Sequence, residues 1–263
     1  MNAGKRIVSG DYTHLAKHYL HRAGYSRLVL DLLGKYVGAA GSPIADVGAG
    51  TGKLTEDLLA LGFRNIVAVE PNCAMRKQGE KSIGSAPVIW KKGSAERTGL
   101  RTGSVQWLLM GSSFHWTATG KALKEFNRVL RPGGYCTVLW NPRVIQGFPL
   151  HEEIEDLIKS MGPTLKRKSS GVGEFTEHLF ETLVSGGWFR NVVYVEACHD
   201  VDMTPERFIG LWKSVNDVQS QLGPKKWRDL MVRIEEMTRN NKTITTRYRT
   251  RAWTVRRLES RNA

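Results

Sequence analysis

The sequence predicts an α/β protein: a doubly wound, mostly parallel seven-stranded sheet with an N-terminal helical lid and helical cap insertions. Between Pro43 and Trp140 short apolar runs alternate with segments of helical periodicity, and Gly or Pro bounds the runs. That alternation is the signature of a parallel sheet covered on both faces. Three glycines follow the first run at alternate positions, as at a turn built for a ligand. After Asn141 the alternation breaks into helical blocks. Open α/β folds bind ligands at the carboxyl edge of the sheet, and insertions there are expected to build a substrate pocket.

Two helices are expected in the first 40 residues. One lies around Tyr12–Arg22 and one over Ser26–Tyr36, where Leu28, Leu32, Leu33 and Tyr36 recur at helical spacing; Gly24 and Gly41 punctuate them. Strands follow at Ile44–Val47, Ile66–Val69, Val88–Trp90, Val105–Met110 and Tyr135–Trp140, with helices starting at Lys53, Cys73 and Thr119 between them. Helical segments are then expected at His151–Met161 and Glu174–Ser185, a strand at Asn191–Glu196, a helical block over Pro205–Asn240 and a last strand at Thr243–Arg256. The chain thus divides into lid helices (1–40), a core (41–141) and the remaining strands with their cap (142–263), all in one structural domain.

The 263 residues are 41% hydrophobic and 24% charged, the balance of an ordinary globular domain. No run approaches the ~18 apolar residues of a membrane span, and Met1–Leu15 has no secretory core, so a cytoplasmic protein without a membrane partner is expected. Cys73, Cys136 and Cys198 are odd in number and widely spaced, which suggests neither a disulfide framework nor a metal site. The net charge of +14 is partly local, since Gly223–Ala263 holds 12 Lys and Arg against 4 Asp and Glu. Such a surplus is either a solvated basic face or an attraction for nucleic acid, an acidic substrate or an anionic surface. No residue pattern specifies an oligomeric state.

The most informative segment is Ile44-Ala-Asp46-Val-Gly48-Ala-Gly50-Thr-Gly52-Lys53-Leu54. Glycines between a strand and a helix permit positive φ and let a ligand approach the backbone without meeting a Cβ. Spacing sets two familiar loops aside: the third glycine comes one residue too early for a dinucleotide fingerprint, and Lys53 is followed by Leu54, not by the Ser or Thr of a P-loop. The second strand ends in Glu70, placed to accept hydrogen bonds from both hydroxyls of a ribose. An adenosine-type ligand is therefore favoured.

These residues resemble the class I S-adenosylmethionine-dependent methyltransferases, which share D-x-G-x-G-x-G followed by a strand-end Glu. The resemblance runs from about Tyr19 to Trp140 and includes Val69-Glu70-Pro71-Asn72, Gly93-Ser94-Ala95-Glu96, Ser113-Phe114-His115-Trp116 and Arg128-Val-Leu-Arg-Pro132-Gly-Gly134. In this order the features are similar to the small-molecule branch related to trans-aconitate methyltransferases. The resemblance implies a Rossmann-like fold and S-adenosyl-L-methionine as cofactor. It implies that Asp46 orients the loop and reaches the methionine end, that Gly48, Gly50 and Gly52 pass under the amino-acid portion, and that Glu70 holds the ribose. Ala95 and Glu96 would flank the adenine; Pro71, Met75, Ser94, Gly111 and Ser112 complete the expected cofactor shell. The plainer alternatives are a capping Asp46 and solvated Glu70 and Glu96. Where the family usually has Asp near position 106, this chain has Gln106-Trp107.

Methyl transfer from a sulfonium is a direct displacement, which needs alignment and exclusion of water, with a positioned base for some nucleophiles. His115, after the fourth strand, is either that base or, with Trp116, a packing residue that closes over the cofactor; Trp116 joins the residues expected at the lid and substrate. Tyr19, Arg22 and Tyr25 resemble the family's N-terminal lid, with Arg22 free to pair with a carboxylate; an ordinary amphipathic helix is the alternative. Asn141-Pro142-Arg143 follows the fifth strand and lacks the second proline and the aromatic of the adenine-N6 motif, so it is rejected as a nucleobase signature. Arg247, Arg249 and Arg251 share one face of the last strand, and Trp212, Trp227 and Trp253 are core residues or pocket walls. The expected function is methylation of a small-molecule acceptor at O, N or carboxylate, with an acidic acceptor as one candidate. The alternatives are an RNA methyltransferase using the basic C-terminal face and an enzyme that attacks the aminobutyrate chain of the cofactor without methylating.

Overall fold

The computed structural model describes residues 11–167 and 173–259. Its seven strands are β1 (Ile44–Val47), β2 (Ile66–Val69), β3 (Val88–Lys91), β4 (Val105–Gly111), β5 (Leu130–Trp140), β6 (Phe189–Met203) and β7 (Ile244–Arg257). They form one sheet in the order β3-β2-β1-β4-β5-β7-β6. Pairing is parallel from β3 through β5, and β7 runs antiparallel between β5 and β6. The strand order reverses between β1 and β4, the switch point at which open α/β sheets bind ligands.

The helices are α1 (Ala16–Tyr19), α2 (Arg27–Tyr36), α3 (Lys53–Ala60), α4 (Cys73–Ile83), α5 (Thr119–Val129), α6 (Pro149–Met161), α7 (Glu174–Glu177), α8 (Leu179–Val184), α9 (Pro205–Lys213) and α10 (Asn216–Thr238). Strand periodicity divides β4 between two cores. Leu108 and Met110 pack with Leu123 and Phe126 of α5 and Leu183 of α8, whereas Trp107 and Leu109 pack with Leu30 and Leu33 of α2 and Leu54 and Leu58 of α3. A third core belongs to the cap, where Ile154 and Ile158 of α6 meet Phe208 and Trp212 of α9 and Leu230 and Ile234 of α10. Trp212 and Trp227 serve this cap core and Trp253 the sheet core, so all three tryptophans are packing residues.

Five elements depart from the sequence reading. β5 begins at Leu130, ahead of the expected Tyr135, and the helix expected over Glu174–Ser185 is split into α7 and α8. The helix expected over Tyr12–Arg22 is the single turn Ala16–Tyr19, whose N-cap, Leu15, provides no side-chain hydrogen bond; one uncapped turn gains little to offset its nucleation cost. The segment is held by rings instead, with Tyr12 edge-on to Tyr19 at 5.4 Å and to Trp116 at 6.2 Å. β6 continues well past Glu196 because its polar residues find partners on β7: Glu196 is opposite Arg251, Asp200 opposite Arg247 and Asp202 opposite Thr245. The long helical block is interrupted at Gly223, whose φ of 75° leads into Pro224. Among the described residues no helix is long and apolar enough to cross a membrane.

Candidate functional site

A cavity of about 860 Å³ opens over the carboxyl ends of β1, β2 and β4, within the ~300–1,000 Å³ typical of small-molecule sites. One end is built from the glycine loop and the tips of the first strands. Gly48 and Gly50 have φ of +71° and +59°, and a Cβ on Gly48 would stand 2.6 Å from Ser113 Oγ. A side chain is therefore excluded twice over, by backbone conformation and by space. The amides of Gly48 and Ala49 donate to Val69 O at 2.8 and 3.1 Å, which ties the loop to the end of β2.

Two buried carboxylates stand in this half. Glu70 Oε2 accepts from Gly50 N and Oε1 from Asn72 N, both at 2.8 Å. Each oxygen keeps a further lone pair for another donor. Burial raises the Glu70 pKa, and these two backbone bonds oppose the rise. Asp46 is 1% exposed; its Oδ2 accepts from Thr55 Oγ1 at 2.7 Å, whereas Oδ1 has no partner in the protein. Burial pushes the Asp46 carboxyl up to about 7, with the Glu70 charge adding to the effect and the Thr55 bond opposing it. A buried carboxyl with an unused oxygen, on a residue that lines a ligand cavity, fits a cationic ligand group.

The lid segment is fastened from three sides. Asn141 Nδ2 donates to Gly24 O at 2.7 Å, Tyr25 N donates to Asp57 Oδ2 at 2.7 Å, and Ser26 N donates to Thr250 Oγ1 at 2.7 Å. Tyr25 Oη lies 3.1 Å from Ser112 Oγ, and Gly111 beneath it has no room for a Cβ, which would meet that hydroxyl at 2.5 Å. Arg22 stacks on the Tyr19 ring at 4.1 Å and binds Ser214 through Nε (2.9 Å to Oγ) and Nη2 (3.1 Å to O). It is thus neither a solvated helix residue nor an unattached guanidinium.

The structure gathers nearly all the predicted residues around this one cavity. Asp46, Gly48, Gly50, Glu70, Pro71, Met75, Ser94, Ala95, Glu96, Gly111 and Ser112 line it, as do Tyr19, Arg22, Tyr25 and Trp116. Glu96 is also a fastening, accepting from Ala118 N at the start of α5 at 2.8 Å. Two residues stand elsewhere. Gly52 is not in the lining; it caps α3 at φ 82°, with its missing Cβ directed at Ile83 and Trp90. It serves helix packing and not ligand approach. His115 also lies outside the lining: its Nδ1 accepts from Trp140 Nε1 at 3.2 Å and its Nε2 is buried without a partner. Trp116, Trp140 and Phe175 surround the ring, and burial lowers its pKa to about 4. Of the two readings of His115, this placement fits the packing residue. Gln106, in place of the family's acid, is the second residue of β4 and outside the cavity lining, with its backbone N–H donating to Pro43 O.

The other end of the cavity was less visible in the sequence. Asn141, Arg143, Glu155, Arg167, Leu211 and Tyr248 line it, from the β5–α6 loop, the cap and β7. Arg167 Nη1 contacts both oxygens of Glu155 at 2.9 and 2.8 Å, and Arg167 Nε reaches Asp217 at 3.3 Å. One sequence signal marks Tyr248: it alternates with Arg247 and Arg249, so a regular strand turns it with Thr246 and Thr250 to the buried face. Polar residues in such a row on an inward face deserve a partner.

A family model described as a methyltransferase domain matches residues 45–138. An uncharacterized methyltransferase of Mycobacterium tuberculosis is 37% identical over 105 residues, covering 40% of this chain and 42% of that protein. One of Schizosaccharomyces pombe is 38% identical over 102 residues, covering 39% and 40%. The chain therefore matches about two fifths of the length of these curated relatives. Among solved structures, a candidate type II methyltransferase of Anaeromyxobacter dehalogenans superposes with a TM-score of 0.61 at 17% identity, over 90% of this chain and 99% of that one, which shows the fold. Residues 45–138 are thus the part of the chain that is similar to a methyltransferase domain.

Proposed function

We propose that the whole chain is a methyltransferase that transfers the methyl group of S-adenosylmethionine to an oxygen, nitrogen or carboxylate of a small-molecule acceptor. The observation that carries this reading is the shared cavity: cofactor-type residues line one end and the helical cap closes the other, under a lid fastened at Gly24, Tyr25 and Ser26. The similarity to trans-aconitate methyltransferases belongs with this reading.

The residues fit the cofactor. Glu70 would accept from the ribose hydroxyls, the Gly48–Gly50 turn would pass beneath the amino-acid portion, and Asp46 Oδ1 would face its cationic end. When bound, the cofactor supplies an electrophilic methyl on a sulfonium. The protein supplies alignment and a water-poor enclosure, the main requirements of a direct displacement. A nucleic-acid acceptor is disfavoured by the pairing of the basic strand: Arg247 meets Asp200 at 2.7 Å and Arg251 meets Glu196 at 3.8 Å.

Calorimetric titration with S-adenosylmethionine and S-adenosylhomocysteine tests the reading. Both should bind, and Glu70→Ala should weaken them at least tenfold, about 1.4 kcal/mol. If neither nucleoside binds the intact chain, the proposal fails.

A further inference from the structure

Arg143, set aside above as part of a nucleobase motif, occupies an unusual position. Its guanidinium stacks on the Trp212 ring at 4.1 Å and its Nη2 stands 3.8 Å from Glu155 Oε1, while its Nη1 is buried with no hydrogen-bond partner in the protein. Tyr248 is 4% exposed, and its hydroxyl likewise has no partner. Both residues line the cavity. They are held together by the backbone: an isolated antiparallel bridge joins Arg143 to Tyr248, flanked by Val144 N to Arg247 O at 2.8 Å and Arg249 N to Pro142 O at 2.9 Å.

Two buried groups able to donate, on rigidly paired backbone, stand at the end of the cavity opposite Asp46 and Glu70. Burial lowers the Arg143 pKa, a sign that its charge lacks full compensation. The surroundings do not supply the missing anion. Glu155 is already engaged by Arg167 through both oxygens, and Asp217 lies on Arg167 as well. Counting Arg22, Arg143, Arg167 and Lys159 against Glu155, Asp217 and Asp156, which holds Lys159 at 3.0 Å, leaves this end with a surplus of one positive charge. A monoanion balances that surplus, and a carboxylate presents two acceptor oxygens to a planar guanidinium.

The geometry points to Arg143 and Tyr248 as a binding subsite for a carboxylate of the acceptor, which anchors the molecule so that its reacting atom lies toward the cofactor end. This inference rests on the reading of the cavity as a methyltransferase site and specifies its substrate class. Arg143 is here a specificity-determining residue, and its assignment does not require that the anchored carboxylate be the group methylated.

The test uses the full chain saturated with S-adenosylhomocysteine and titrated calorimetrically with benzoate, benzamide and phenylphosphonate. Benzoate should bind at least tenfold more tightly than benzamide and more tightly than phenylphosphonate. Arg143→Met, which retains stacking bulk over Trp212 and leaves Glu155 paired with Arg167, should abolish the preference for benzoate while S-adenosylhomocysteine affinity stays within about twofold. Tyr248→Phe should weaken benzoate several-fold and serves as the milder variant. Equal binding of benzoate and benzamide, tighter binding of phenylphosphonate, or an unchanged preference in Arg143→Met overturns the assignment. Failure of S-adenosylhomocysteine itself to bind would instead strike the cofactor reading, so the two failures are distinct.

Discussion

Asp46 makes cofactor affinity a function of pH. Its carboxyl is held near pKa 7 in the ligand-free protein, by burial first, and only the ionised form attracts a cation. With that pKa the group is about half ionised at pH 7 and about 1% at pH 5. Binding that requires the anion should then weaken about 50-fold between those values, about 2.3 kcal/mol. S-adenosylmethionine and S-adenosylhomocysteine, both with an α-ammonium, should follow this profile; 5′-methylthioadenosine, which lacks it, should not, and Asp46→Asn should flatten the dependence for the first two. The same substitution should stabilise the ligand-free protein. Between the unfolded pKa of about 3.9 and the folded value near 7, the folded state alone retains the proton, so wild-type stability falls as pH rises through that window. At pH 8 Asp46→Asn should gain about 1–3 kcal/mol, or ~2–4 °C in Tm per kcal/mol. Superimposable pH profiles for wild type and variant, or an equal slope for 5′-methylthioadenosine, would refute the argument.

Two further substitutions and spectra probe the walls. NMR titration of His115 should give a midpoint near 4, as its burial behind Trp116 and Trp140 requires; a midpoint between 6 and 7 would return it to the role of base. Gly111→Ala should push Tyr25 off Ser112, since the new Cβ would stand 2.5 Å from the tyrosine hydroxyl. Cofactor affinity should fall about tenfold, and Tyr25→Ala in the same chain should recover part of the loss, giving a coupling energy in a double-mutant cycle. Additive losses would show that the lid does not transmit the clash.

The sheet was legible because its signals are local. Four-residue runs at Ile44 and Ile66, apolar apart from Asp46 and each followed by a helical period, need no distant partner to be recognised, and the glycine turn declares its own backbone conformation. The length of β6 was hidden because Glu196, Asp200 and Asp202 look like a strand ending until their partners on β7 are known. The same non-locality hid Arg143: a loop arginine reads as solvated unless Trp212 and Tyr248, far along the chain, are brought against it. His115 was ambiguous for a related reason. The tryptophan that occupies its Nδ1 lies on β5, 25 residues away. Thus the cofactor end, built from consecutive strands and turns, could be read from the sequence, whereas the acceptor end is written in long-range contacts.

The position of β7 also orders events as the chain leaves the ribosome. The cofactor loop and its strands emerge early, but β6 pairs only with β7, and the lid's fastening at Ser26 awaits Thr250, 224 residues later. An incomplete chain can therefore carry the glycine turn and both buried carboxylates while its lid remains unlatched and its acceptor wall is missing Tyr248. Closure of the site therefore requires β7 in the sheet, so the enclosure of a ligand depends on a strand far along the chain from the glycine turn.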